Sequence, residues 1–228
     1  SSPSRGLGDV YKRQVIRVAF PSMPHSLSET ESLLSGPGSA EEYISQLSGG
    51  VSNLEVTISD EVWTSEFEES YWGADSQSER DVGNDGSGVD KLVEKSALDL
   101  LSGMDLSQWD INGDGVIDRL LVLHSGNAQE SGGPSDSIWS HFSNLMNPVN
   151  IGKWKIQHYT ISSMESGLGT IVHEMLHQMG AYDLYDVHSD LPSSTWNGLG
   201  DWDIMASGNW NGDSVSYTHL RAHETVMN

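Results

Sequence analysis

Residues 173–183 read HEMLHQMGAYD, and this stretch constrains the chain more than any other. Over 168–179 the helical period puts Leu168, Ile171, Val172, Met175, Leu176 and Met179 on one face. His173 and His177 fall one turn apart on the other side, with Glu174 beside them. The spacing predicts a helix with its back in a core and its polar edge toward a cleft. Neutral imidazoles at i and i+4 can bind one zinc ion, and a glutamate between them can take a proton from water there. Gly180 ends the periodic segment, and a positive φ at that residue lets the chain turn back sharply. The turn could bring Asp183 to the metal as a third ligand. Asp186 and His188 follow on the same loop with suitable chemistry. Three protein ligands leave a position for water, which is the catalytic arrangement. The plainer reading is an amphipathic helix with surface histidines. H-E-x-x-H alone arises by chance on the order of once in a hundred chains of this length. Gly180 and Asp183 at fixed offsets make it rarer.

The 228 residues are enough for one domain with a real core, or two small ones, and 36% of them are hydrophobic. No run of 18 apolar residues exists, so no membrane span is expected in this segment. Lys plus Arg number 11 against 33 acids, a net charge of −22. That field repels phosphate backbones and anionic bilayers, so nucleic acid is not an expected partner. With no cysteine, disulfides and thiolate metal sites are excluded.

The two ends read as foreign. A single nucleotide segment, read on its two strands, encodes both Ser4–Gln14 and Val215–Glu224, as a sequencing adapter left on a metagenomic read would. Residues 1–14 and 215–228 are therefore expected to lie outside the natural fold. One mixed domain over 15–214, cut short at both ends, is the expectation.

Along that domain, VIRVAF (15–20) reads as a buried strand and 22–38 as a Ser/Gly/Pro-rich loop. AEEYISQLS is a short amphipathic helix stopped by Gly49 and Gly50, and LEVTIS alternates as a strand does. Residues 73–88 read as a polar surface excursion. DKLVEKSALDLLS puts Leu92, Val93, Ala97, Leu98 and Leu101 on one helical face. RLLVLH and KWKIQHYTIS read as strands.

DINGDGVID (110–118) spaces Asp110, Asn112, Asp114 and Asp118 as a calcium loop spaces its oxygens, with Gly115 for the sharp turn. The backbone of Val116 could add a carbonyl. The twelfth position is Leu121 rather than Glu and a strand follows, so this is not an EF-hand. The alternative is an Asx-rich turn with no ion.

These motifs together resemble a known family. HEMLHQMGAYD is similar to the metzincin-type signature H-E-x-x-H-x-x-G-x-x-(H/D). GTIVHEMLHQMGAYDLYD resembles secreted bacterial zinc peptidases of the immune inhibitor A family, and GDWDIMASGNWNG (200–212) resembles that family's Met-turn segment. DINGDGVIDRLLVLHSG and SIWSH resemble its segments upstream of the active-site helix. The resemblance implies an α+β, metzincin-like catalytic domain with a mixed twisted sheet, an active-site helix and a Met-turn. It implies His173, His177 and Asp183 on zinc, Glu174 as general base and then acid, and Met205 as an apolar floor under the metal. It implies calcium on the 110–118 loop, protein or peptide substrates, and secretion. The position two after Met205 is Ser207, so no transition-state tyrosine is assigned there. His124 and His141 match family positions and are expected in hydrogen-bonded structural roles. Two other readings stay open: an inactive binding or adhesion module on a peptidase scaffold, and a calcium-dependent structural module using only the 110–118 loop. The intact Glu174 favours the enzyme, because a pure binder does not need it.

Overall fold

The computed structural model describes residues 10–84, 86, 88–187 and 198–210. Five strands form one sheet: β1 (Val10–Ala19), β2 (Asn53–Thr64), β3 (Leu120–His124), β4 (His141–Ile151) and β5 (Trp154–Ser163). Their order is β2-β1-β3-β5-β4. β1 runs parallel to β2 and β3, β3 parallel to β5, and β4 pairs antiparallel with β5. The helices are α1 (Leu27–Leu34), α2 (Ala40–Leu47), the single turn α3 (Glu69–Trp72), α4 (Gly88–Leu101) and α5 (Gly167–Gln178).

β3 explains the layering. All five of its residues are buried, so it reads as an unbroken apolar run rather than an alternation. Successive side chains leave opposite faces of a strand. Leu120 and Val122 accordingly enter one core, with Leu92, Val93, Ala97 and Leu101 of α4. Leu121 and Leu123 enter the other, with Leu168, Ile171, Val172 and Met175 of α5. Each fully buried Leu or Ile contributes about 1.5–3 kcal/mol, so α5 is held by its apolar back. Leu98, expected on the buried face of α4, is 37% exposed; Ser96 is buried instead and donates its hydroxyl to the Leu92 carbonyl.

Three further features go beyond the sequence reading. The 22–38 stretch contains α1, started by the Ser26 hydroxyl accepting from the Glu29 amide. Residues 141–151 form β4, which carries Pro148 and has a register break between Asn144 and Val149. A proline there is tolerated because β4 is an edge. Third, β1 begins at Val10 rather than Val15, so residues 10–14, expected to lie outside the fold, pair with β2 and enter the sheet. Arg13 among them is fully buried and donates to the Met175 carbonyl and to Gln178 of α5. The 215–228 segment lies outside the described residues.

Candidate metal centre

β5 leads directly into the site. The Ser163 hydroxyl accepts from the Glu165 amide and Ser166 answers to the Ser163 amide, closing a capping box before α5. α5 ends as the sequence requires. The Gly180 amide donates to the His177 carbonyl and the Ala181 amide to the Leu176 carbonyl, the paired bonds of a Schellman motif. Gly180 has φ 100°, and nothing lies within 4 Å of where a Cβ would stand. Its requirement is therefore the backbone conformation, not space.

The reversed chain is then pinned. The Leu184 amide donates to the Met205 carbonyl at 2.7 Å, and the Leu199 amide donates to the Leu184 carbonyl. A Cβ on Gly198 would meet that carbonyl oxygen at 1.8 Å, so this crossing admits only glycine. The turn delivers Asp183 to the two histidines. Its Oδ1 lies 3.2 Å from His173 Nε2 and 3.2 Å from His177 Nε2, and the two Nε2 atoms are 3.0 Å apart. Among the described residues these three are the one group of His, Cys, Asp and Glu whose ligand atoms all lie within 4.8 Å of one another. Asp186 is not part of it, and His188 lies outside the described residues.

The tautomers follow from the partners. His173 Nδ1 is 2.7 Å from the Ile204 carbonyl and His177 Nδ1 is 3.0 Å from the Ala181 carbonyl. A carbonyl only accepts, so both Nδ1 atoms carry the proton and both Nε2 atoms present lone pairs. Burial holds His173 below its usual pKa, which favours that neutral ring. Two bare nitrogens and a carboxylate oxygen thus converge, and Asp183 Oδ1 is buried without a hydrogen-bond donor among the described residues. Three acceptors so close repel one another unless a cation lies between them. A tetrahedral ion with bonds of about 2.0–2.1 Å spaces its donors about 3.3–3.4 Å apart, near the triangle seen here. The donor set fits zinc.

Glu174 stands beside this triangle, its Oε1 3.8 Å from His173 Nε2. Burial, and then the Asp183 charge, push its carboxyl up to about 8. Met205 is buried in the same core as Val172 and Met175. Its turn acts on the site through main chain, because the Ile204 carbonyl orients His173 and the Met205 carbonyl holds Leu184. Ser207 borders the cavity next to Glu174, and so does Tyr185. The Tyr185 phenol, pushed up to about 12 by burial and by Asp183, hydrogen-bonds Asp183; the sequence carried no signal for it.

His124 and His141 lie apart from the triangle. His124 is fully buried and accepts the Gly126 amide, and burial lowers its pKa to about 3. His141 bridges the Trp139 carbonyl and the Tyr159 hydroxyl.

In the 110–118 loop the carboxylates turn onto the loop's own amides. Asp110 accepts from Gly115, Asp114 from Val116 and Asp118 from Ile111. Asn112 Oδ1 accepts the Asp114 amide. Those bonds are the pattern of an Asx-rich turn. Asp110 Oδ1 alone is left buried with no donor.

Comparison with known proteins gives the family. Residues 9–225 match the family model described as immune inhibitor A peptidase M6, catalytic domain. Immune inhibitor A of Bacillus thuringiensis subsp. alesti is 31% identical over 215 residues, 78% of this chain and 29% of that protein. The pre-pro-metalloprotease PrtV of Vibrio cholerae serotype O1 (strain M66-2) is 30% identical over 146 residues, 54% of this chain and 16% of that protein. The chain thus spans less than a third of the length of these relatives. Metalloproteinase-II from Bacteroides fragilis shares 13% identity over 93% of this chain and 50% of its own, at a TM-score of 0.40, too slight a likeness to add weight. The chain belongs to the immune inhibitor A (M6) peptidase family and corresponds to that family's catalytic domain.

Proposed function

We propose that this domain is a zinc-dependent endopeptidase acting on protein substrates. The observation that carries the reading is the convergence of His173 Nε2, His177 Nε2 and Asp183 Oδ1, three acceptors with no proton among them. Zinc held by them would supply Lewis acidity to water and to the scissile carbonyl. Glu174 takes the proton that water sheds as its oxygen attacks, and returns it to the leaving amine. Its burial keeps bulk water from competing for that proton, and a neighbouring cation would draw its raised pKa back toward the ordinary range. The Ile204 and Ala181 carbonyls hold the imidazoles in the ligating tautomer. Met205 closes the site from below with apolar surface.

By its resemblance to secreted peptidases the domain would work outside the cell. Among the described residues no helix is long and apolar enough to cross a membrane. Stripping metal with a chelator should abolish digestion of casein, and one equivalent of zinc per chain should restore it. Digestion that survives complete zinc removal, or a zinc-loaded chain that cuts no protein or peptide, would overturn the reading.

Calcium on the 110–118 loop is a second part of the proposal, supported by the oxygen spacing and the unpartnered Asp110 Oδ1. An ion bound only by the folded state stabilises by mass action. Calcium is therefore expected to raise the Tm, and Asp114→Ala to remove that response while zinc stoichiometry stays at one. A melting curve of the unmutated chain that ignores calcium would rule the loop out as a binding site.

A further inference from the structure

A cavity of about 150 Å³ opens beside the metal centre, between α5, the Met-turn segment and the chain entering β4. His173 and Glu174 form one side of it. Ser207, Asn209 and Trp210 of the Met-turn segment, and Trp139 of the approach to β4, contribute other walls. Three of its lining side chains keep a buried oxygen with no hydrogen-bond partner among the described residues: Glu130 Oε1, Thr170 Oγ1 and Asn209 Oδ1. Thr170 and Asn209 are 3% and 6% exposed, so these oxygens are not simply surface atoms. The other Glu130 oxygen is fixed by the Ser140 amide, which orients the carboxylate. Among the described residues no Lys or Arg lines the cavity. Arg80 lies nearby, but its guanidinium is engaged over the Trp139 ring at 3.6 Å and donates to Gln129.

Leaving several buried acceptors unsatisfied is costly, and native interiors rarely do so without a reason. The cavity borders His173 and Glu174. A peptide with its scissile carbonyl at the metal therefore places a neighbouring side chain there. We propose that this cavity is a specificity subsite for a cationic side chain, lysine or arginine, flanking the scissile bond, with Glu130 as its charge partner and Thr170 and Asn209 as further acceptors. An ammonium or guanidinium brings three to five N–H donors and no acceptor, the complement of these three oxygens. The tryptophan walls suit the aliphatic stem of such a side chain. The net charge of −22 acts in the same direction, enriching cationic peptides near the mouth. The inference rests on the peptidase reading for its position relative to the scissile bond, but not for its binding chemistry.

Two measurements on the 228-residue chain test it. The first is cleavage by the zinc-loaded protein of a peptide set that varies only at the residues flanking one bond. Lysine and arginine should exceed leucine and glutamate in kcat/KM by at least about tenfold. Glu130→Gln should pull the lysine-to-leucine ratio toward one; a general loss of folding would lower both rates and leave the ratio alone. The second needs neither metal nor turnover. Trp139 and Trp210 line the cavity, so tryptophan fluorescence of the metal-free chain should respond to a lysine-bearing peptide at lower concentration than to its leucine twin. Cleavage without cationic preference, with fluorescence titrations equal for the two peptides, would overturn the subsite. A lysine-selective fluorescence response in a protein that cuts nothing would keep the cavity's chemistry and overturn the peptidase reading instead.

Discussion

A Glu174→Gln variant is expected to keep one zinc per chain and to lose about 10²–10⁴-fold or more in kcat/KM toward peptides. The amide has nearly the shape of the carboxyl and can still pack under the cavity wall, where Glu174 is 8% exposed. What it cannot do is accept a proton. The loss should appear in kcat with little change in KM, because the proton is transferred in the reaction and not on binding. Zinc measured by atomic absorption separates this from loss of the metal. The direction of the stability change is also fixed. Burial raises the Glu174 carboxyl to about 8, so the metal-free fold bears an unfavourable charge when that group is ionised. Removing a buried group that resists ionisation should leave the metal-free Tm unchanged or raise it at alkaline pH. A variant digesting casein at near wild-type rate would show that another group takes the proton.

The convergence of His173, His177 and Asp183 is legible in the sequence, and the reason is local geometry. A helical period fixes the relation of His173, Glu174 and His177, and a glycine at the helix end fixes the reversal. Such relations need no knowledge of the rest of the chain. The central strand β3 was legible for a similar reason, since LLVLH is a short apolar run of the length of a strand buried on both faces. The α1 start is written in the sequence as Ser26 and Glu29, but the small polar residues around it suit a loop equally well. β4 was hidden because an edge strand with one wet face and a proline need not alternate. Other features depend on contacts between distant residues. The buried Glu69 carboxylate accepts the Asn127 and Ile138 amides and so ties two loops near the site, yet ESYW gives no hint of it. Glu130, Thr170 and Asn209 meet in one cavity from three segments, and no spacing rule connects them. The extended β1 shows a different limit. An argument from nucleotide origin says nothing about whether five residues can add to a sheet, and Val10–Gln14 pair there in register with Asn53–Thr57.

The strongest effect on metal is expected from Asp183→Ala. Its Oδ1 completes the triangle, 3.2 Å from each Nε2, and that oxygen has no hydrogen-bond donor among the described residues. Losing a partner that merely orients a ligand costs about 10–100-fold in metal affinity; losing a direct donor should cost more than about 100-fold. The charge matters as well as the contact. With Asp183 the site offers two neutral imidazoles and one carboxylate, leaving a net single positive charge on a divalent ion. Alanine leaves the full double charge in a buried place, held by two neutral ligands. Zinc affinity should be measured by competition with a chromophoric chelator for Asp183→Ala, Asp186→Ala and His188→Ala in parallel. Asp186→Ala should bind as the unmutated chain does, because Asp186 does not join the converging group. His188 lies outside the described residues, so its variant tests the one rival for which the geometry is silent. Affinity retained in Asp183→Ala but lost in either of the others would move the third ligand along the loop. It would also mean that the turn at Gly180, with its two paired amide bonds, aims the chain at the metal by a different residue from the one it delivers here.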